Sequence, residues 1–186
     1  MVWFTSDMHF GHENVIRFCK RPFSSVEEMN TTIIRRWNSK IKPEDTVYVL
    51  GDMCFTQFSA AIPIFKQLNG KKILIQGNHD KYSMSQYEKL GFTSILLEAR
   101  IRIQGKTLRM SHYPYRPSFW QRLKYRFNDL RFMDRRPQDM GEWLLHGHVH
   151  EKWKIRGKQI NVGVDQWNFF PVSTAEIISL IDSVKP

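Results

Sequence analysis

Cysteine is nearly absent: Cys19 and Cys54 are the only two in 186 residues. Their separation matches neither a metal-binding nor a redox spacing, which argues against a disulfide framework and a thiolate cluster. Long apolar runs are missing too, and none approaches the roughly 20 residues needed to cross a bilayer. The opening segment, Met1-Val2-Trp3-Phe4-Thr5-Ser6-Asp7, lacks the basic region and apolar stretch of a secretory signal. These absences leave a reducing, cytoplasmic setting as the expectation. Acidic residues are also in short supply, with 18 Asp and Glu against 28 Lys and Arg and a formal charge of +10. A basic surface favours polyanionic ligands such as nucleotides, nucleic acid or acidic headgroups.

Aromatic bulk is plentiful, with 6 Trp and 13 Phe, enough for a core that needs no disulfides. No repeat, low-complexity tract or linker divides the sequence, so residues 1–186 are read as one domain. Val2 to Ser6 reads as a strand ending at Asp7. Ser25 with Glu28 resembles a capping box that opens a helix through Ile33, Ile34 and Trp37. Thr46 to Leu50 forms a second strand. Phe58, Ile62, Phe65 and Leu68 follow helical spacing, with Pro63 confining or kinking that helix. Lys72 to Gln76 forms a third strand. Alternation of strand and helix is the signature of an α/β fold. Beyond it, Ser94 to Ile103 and Thr107 to Ser111 read as a hairpin about Gln104-Gly105-Lys106. Trp143 to Leu145, Trp153 to Arg156 and Gln159 to Val164 add strands, largely antiparallel. Ser173 with Glu176 caps a last helix. Two packed sheets covered by helices accommodate both halves.

The chemistry-bearing residues gather at strand ends. Asp7-Met8-His9 follows the first strand, Gly51-Asp52 the second, and Gly77-Asn78-His79-Asp80 the third. His112 closes a later strand, and Gly147-His148-Val149-His150 ends another. Strand ends are where open α/β sheets place ligands, and residues at i and i+2 of an extended segment share a side. Each fragment alone is ordinary turn or surface polarity. Together they supply oxygen and nitrogen donors from many strand ends at once, which points to a metal site.

These motifs resemble those of the calcineurin-like metallophosphoesterase superfamily: D-x-H, G-D, G-N-H-[D/E], H and G-H-x-H, present in order from Asp7 to His150. The resemblance implies a four-layer, two-sheet β-sandwich flanked by helices. It implies that Asp7, His9 and His150 hold one metal, Asn78, His112 and His148 a second, and Asp52 bridges them. Two such cations can grip phosphoryl oxygens and hold a hydroxide between them. A bridging carboxylate offsets two dications, and neutral Asn78 leaves the pair positive enough to attract phosphate. Nitrogen and oxygen donors suit Mn, Fe, Ni or Zn, with Mn favoured here. The resemblance makes His79 the catalytic group that helps the leaving oxygen depart. Asp80 either supports the ligands or caps the following helix. His146 is read as a core or supporting residue.

Departures from the pattern narrow the substrate. Protein phosphatases of the superfamily extend the second motif to G-D-x-V-D-R-G, whereas Gly51-Asp52-Met53-Cys54-Phe55-Thr56-Gln57 has Phe55 and Thr56 in place of the Asp and Arg. The third motif ends in Asp80, not Glu. Small bacterial and phage phosphoesterases fit better. His12 either faces the phosphate or its leaving group, or simply opens the next helix. Tyr113 to Arg136 interleaves cations, Arg116 among them, with aromatic rings. Guanidinium forks bind phosphate and rings stack on bases, so Arg116, His12 and Asn78 are candidate substrate contacts. The alternative is an amphipathic helix with solvated arginines. The leading expectation is a phosphodiesterase or phosphomonoesterase acting on a nucleotide-like substrate through a metal-held hydroxide. A nuclease on DNA or RNA is the second. A basic nucleic-acid-binding module with a structural or vestigial metal site is the third.

Overall fold

The computed structural model describes residues 1–117 and 132–184. Arg122, Arg131 and the other residues of the basic stretch between 118 and 131 lie outside them. In chain order the elements are β1 (Val2–Thr5), α1 (Glu13–Phe18), α2 (Val26–Lys40), β2 (Thr46–Val49), α3 (Phe58–Phe65), β3 (Lys71–Ile75) and α4 (Met84–Lys89). Then come β4 (Phe92–Leu96), β5 (Glu98–Ile103), β6 (Lys106–Ser111), β7 (Trp143–His146), β8 (Ile155–Arg156), β9 (Gln159–Asn161), β10 (Val172–Ser173) and α5 (Thr174–Ser183).

The strands form two five-stranded mixed sheets, ordered β10-β1-β2-β3-β4 and β5-β6-β7-β9-β8. β1 to β4 run parallel, linked through helices, and β10 is antiparallel to β1. The expected α/β architecture of two sheets with helices is therefore present. Alternation along the first sheet feeds two cores. Trp3, Val47, Val49 and Leu74 pack with Met29, Ile33 and Trp37 of α2 and Phe65 of α3. Phe4 and Ile75 point the other way and meet Met110, Leu145 and Ile160 of the second sheet, together with Ile177 and Ile181 of α5.

Several local expectations need correcting. The run from Ser94 to Ile103 is two strands in different sheets: β4 pairs with β3, and the chain crosses at Leu97, 78% exposed, into β5. Continuous apolar patterning hid the break. The second sheet is not largely antiparallel, since β6–β7 and β7–β9 are parallel. Of the two-residue strands, β8 falls within the expected run from Trp153 to Arg156 but keeps only its last two residues, and β10 is too short for a pattern to register. Pro63 sits inside α3, which ends at Phe65 and leaves Leu68 beyond it. Asp80 does not cap α4. Ser83 does, its side chain accepting from the Gln86 amide while Gln86 reaches back. At α2, Ser25 accepts from the Glu28 amide, but the Glu28 carboxylate turns to the amide and hydroxyl of Ser24. The hairpin about Gln104-Gly105 and the reciprocal cap of Ser173 and Glu176 are as expected.

Candidate metal centre

All the candidate ligands sit just past the C-terminal ends of β1, β2, β3, β6 and β7. Their loops stay paired after the strands stop. The Asp7 amide donates to Gly51 O (3.0 Å), His9 to Asp52 O (3.1 Å) and Phe10 to Met53 O (3.1 Å). A bridge between Ser6 and Gly163 pins the first sheet to the loop after β9 at the same end. The i, i+2 argument does not hold, because neither paired motif is extended. Asp7 (φ 55°), His9 (51°), Asp52 (52°), His148 (70°) and His150 (48°) all occupy the left-handed region. Non-glycine residues adopt it at a cost of about 1–3 kcal/mol each. The side chains converge because turns aim them, not because a strand alternates.

The geometry divides into two groups with Asp52 between. On one side the His9 and His150 rings stack with centroids 5.0 Å apart. There His150 Nε2 lies 3.9 Å from Asp7 Oδ1. On the other, His112 Nε2 lies 3.1 Å from Asn78 Oδ1, and the His148 ring stands edge-on to His112 at 5.1 Å. Asp52 Oδ2 reaches both, at 3.7 Å from His9 Nε2 and 3.5 Å from His112 Nε2. Donor atoms of Asp7, His9 and His150, and likewise of Asp7, Asp52 and His112, lie within 4.8 Å of one another. The residues named from sequence are thus brought together.

Hydrogen bonding shows that this set fits cations. Both ring nitrogens of His9 are buried without a partner among the described residues. His112 Nδ1 meets the Leu50 carbonyl at 2.8 Å; a carbonyl can only accept, so Nδ1 carries the proton. Its Nε2 faces oxygens of Asn78 and Asp52, which call for either a second proton on that ring or a cation among the three groups. Charge balance agrees. Burial raises the Asp7 pKa. Burial opposes the charged form of His150, but Asp7 and the hydrogen bond to Asp165 outweigh it and push its pKa up to about 11. His112 is likewise raised, since Asp52 and Asp7 overcome its burial. By contrast, burial and His150 hold His9 well below its ordinary value, and burial with His112 pushes His148 down to about 2. Imidazoles beside buried carboxylates are a donor set for first-row divalent metals, a cation taking the place of the extra protons that the carboxylates draw onto His112 and His150.

Supporting residues hold the set in place. Arg21 was missed in the sequence. It grips both oxygens of Asp165 at 2.8 and 2.9 Å and donates to the carbonyls of Asp7 (2.7 Å) and Met8 (3.0 Å). Asp165 Oδ2 in turn lies 3.2 Å from His150 Nδ1, which fixes the tautomer that leaves Nε2 available. Asp165 could have been found, for it follows β9 as the ligands follow theirs. Arg21 precedes Pro22 in a segment with no comparable signal. Cys19 also approaches His150 and Asp165, but Arg21 already engages that carboxylate. Asp80 accepts from the amides of Asp52 (2.8 Å), Met53 (3.1 Å) and Gly77 (2.8 Å), so it shapes the loop that presents Asp52. Burial, then Asp52, lifts its pKa to about 6. A Cβ on Gly77 would collide with Asp52 Oδ1, and one on Gly147 with Ser6 Oγ and Asp7 Oδ2. His146 is wholly buried, with Nδ1 2.8 Å from the Gly147 carbonyl and its pKa pushed down to about 3 by burial.

At the rim, the His79 amide donates to Asp52 Oδ1 (2.9 Å), and the ring lies 5.6 Å from His9 and 5.3 Å from Phe55. His12 occupies the N-cap position of α1 without capping it. Its ring instead stacks on Phe55 at 4.3 Å, and its pKa is lowered by burial and then His79. Phe55 remains 48% exposed. Arg116 lies farther out, donating to the carbonyls of Arg136 (2.9 Å) and Asp134 (3.0 Å).

Imidazoles and carboxylates clustered at the strand ends of two mixed sheets define a metallophosphoesterase. The chain belongs to the calcineurin-like phosphoesterase family, whose model matches residues 1–171. It is 33% identical to an uncharacterized protein of Methanocaldococcus jannaschii, an alignment covering 99% of this chain and 93% of that one. It is 30% identical to the Gene 66 protein of Mycobacterium phage L5, covering 98% and 95%. The crystal structure of a protein of unknown function from Aquifex aeolicus superimposes with a TM-score of 0.68 at 32% identity, over 97% of this chain and 98% of that one. Among the described residues no helix is long and apolar enough to cross a membrane.

Proposed function

We propose that residues 1–186 form one domain that hydrolyses a phosphodiester, or secondarily a phosphomonoester, of nucleotide-like character with two divalent cations, Mn favoured. In this reading Asp7, His9 and His150 hold one cation, Asn78, His112 and His148 the other, and Asp52 both. The observation that carries it is the Asp52 carboxylate lying between His112 Nε2 and His9, whose two ring nitrogens are buried without a hydrogen-bond partner among the described residues. Bound there, the cations would supply Lewis acidity toward the phosphoryl oxygens and a water of lowered pKa.

The chain's own groups do the rest. His79, held by its amide on Asp52 and half-open to solvent, donates a proton to the departing ester oxygen. Asp80 and Gly77 keep Asp52 in register with that ring. The Arg21–Asp165 pair keeps His150 from turning. Phe55, standing where protein phosphatases of the family carry the Asp of their second motif, gives His79 an aromatic neighbour and no carboxylate, which favours a diesterase over a protein phosphatase.

The test is hydrolysis of an aryl phosphodiester. Exhaustively chelated protein is expected to be inactive and to recover with Mn, and robust activity after chelation would overturn the mechanism. His79→Ala is expected to keep its metal content and lose about 10²–10⁴-fold in kcat. Full activity in that variant would remove His79 from its role.

A further inference from the structure

Three cavities border the proposed metal site. One, of about 620 Å³, includes Asn78 and sets Lys81 and Arg135 against Asp80 and Asp134, so its described lining carries no excess of cations. Of the remaining two, one of about 360 Å³ shares His79 and is walled by Met53, Phe55 and Tyr82. The other, of about 530 Å³, shares His148. Among the described residues its wall carries Arg116, Arg136, Lys152, Arg156 and Lys158 against one carboxylate, Asp139, whose Oδ1 accepts from the Gly141 amide. Arg116 and Lys158 donate to main-chain carbonyls, which orients them without neutralising them. Trp153 adds an aromatic wall, with the Arg156 guanidinium 4.7 Å above its ring.

We infer that the His148-side cavity is a subsite for a second phosphate of the substrate, so that the substrate is an oligonucleotide strand. This rests on the phosphoesterase reading and narrows it. The scissile phosphate belongs at the metals, where the donor atoms converge. A monoester or a small diester would leave the basic cavity unused. The cavity has a volume suited to a nucleotide unit, and its cations come from three separate stretches of chain, at Arg116, at Arg136 and from Lys152 to Lys158. The described lining of the flank that shares His79 sets Lys81 beside Asp80 and has no excess of cations, so the departing group leaves there and the next phosphate along the strand lies on the basic side. Among the described residues, Arg116 and Arg136 come from the basic stretch evident in the sequence; Lys152, Arg156 and Lys158 belong to the segment after His150 and join them through the fold.

The test uses metal-loaded protein and a labelled, 5′-phosphorylated thymidine trinucleotide, with binding read by fluorescence anisotropy across a salt series. Lys152→Gln/Lys158→Gln is expected to weaken binding about tenfold at low salt and to flatten the dependence of log K on log salt by about 0.7 per lost contact. On the unmodified protein, the trinucleotide is expected to compete with aryl diester hydrolysis at least about tenfold better than the unphosphorylated dinucleotide or a nucleoside triphosphate. Equal competition by the triphosphate, or an unchanged salt slope in the double variant, would overturn the subsite. Because binding is read apart from turnover, oligonucleotide binding without metal-dependent hydrolysis would sink the catalytic reading and spare the subsite. Metal-dependent hydrolysis without a phosphate preference would do the reverse.

Discussion

The helix starts and the strand ends of this protein follow opposite rules. At α2, α4 and α5 a serine in extended conformation accepts from the amide three residues on, and the orphan donors of a helix terminus find partners. At the ends of β1, β2 and β7 the left-handed region is taken up by Asp7, His9, Asp52, His148 and His150 as well as by glycines such as Gly51. There both ring nitrogens of His9 and Nε2 of His146 lie buried without partners among the described residues. Local consistency makes a chain foldable, and departures from it collect where function demands them. The strand-end region spends stability that the caps and cores supply. Substitutions should therefore separate the two regions: site variants alter metal binding and rate, cap variants alter stability alone.

The largest separation is expected at Asp52. Asp52→Asn keeps an oxygen for the His79 amide but removes the charge that faces His9 and His112. Turnover should fall by more than about 100-fold, beyond the usual loss from an outlying partner of a ligand. The rise in melting temperature that Mn gives the parent, by binding only the folded state, should disappear. Retention of that rise would show that Asp52 does not bridge.

Glycines sharpen the same contrast. Gly147→Ala drives a methyl into Ser6 Oγ and Asp7 Oδ2, and such overpacking costs about 1–3 kcal/mol along with metal binding. Gly105→Ala sits at φ 77° in the β5–β6 turn with nothing within 4 Å of a Cβ. It should cost about 1–2 kcal/mol through backbone strain and leave Mn-dependent turnover intact. Melting temperature and metal content, measured on both, decide the matter; equal metal loss in both would erase the distinction.

Asp165→Asn probes how far the site region extends. Arg21 can still hold the remaining oxygen, but His150 Nδ1 loses its carboxylate. Metal affinity should drop about 10–100-fold, and excess Mn should restore kcat. If excess Mn restores nothing, Asp165 acts on the reaction other than by orienting His150.

The sequence made one region far more legible than the other. Ser173 and Glu176 announce the start of α5 because capping is a local interaction between neighbours in the chain. Asp7, His9, Asp52, Asn78, His112, His148 and His150 were legible as a set only through their shared placement at strand ends and their resemblance to known motifs. How they converge was not legible, since left-handed turns replaced the extended segments expected of them. Nor was the pairing of Arg21 with Asp165, 144 residues apart, or the meeting of Arg116 with Lys158 at one cavity. The run from Ser94 to Ile103 failed for a further reason: apolar periodicity does not record which sheet a strand joins, so the crossing at Leu97 left no trace.

The smallest effect is expected at Ser173, on the other side of the contrast. Its hydroxyl and amide both meet Glu176 Oε2, at 2.7 and 2.8 Å, and its oxygen accepts from the Glu176 amide at 3.2 Å. Ser173→Ala removes the hydroxyl and leaves the Glu176 amide to solvent, worth about 1 kcal/mol. In a chain of this length that lowers the melting temperature by about 2–4 °C. Because α5 packs into the core between the sheets through Ile177, Ile178 and Ile181, the loss should appear as lowered global stability and leave kcat, KM and metal content at parent values. A Ser173→Ala protein that also lost metal would mean that the strand-end region draws on this cap directly, since β10 pairs with β1 through Ser173 and Trp3, only four residues before Asp7.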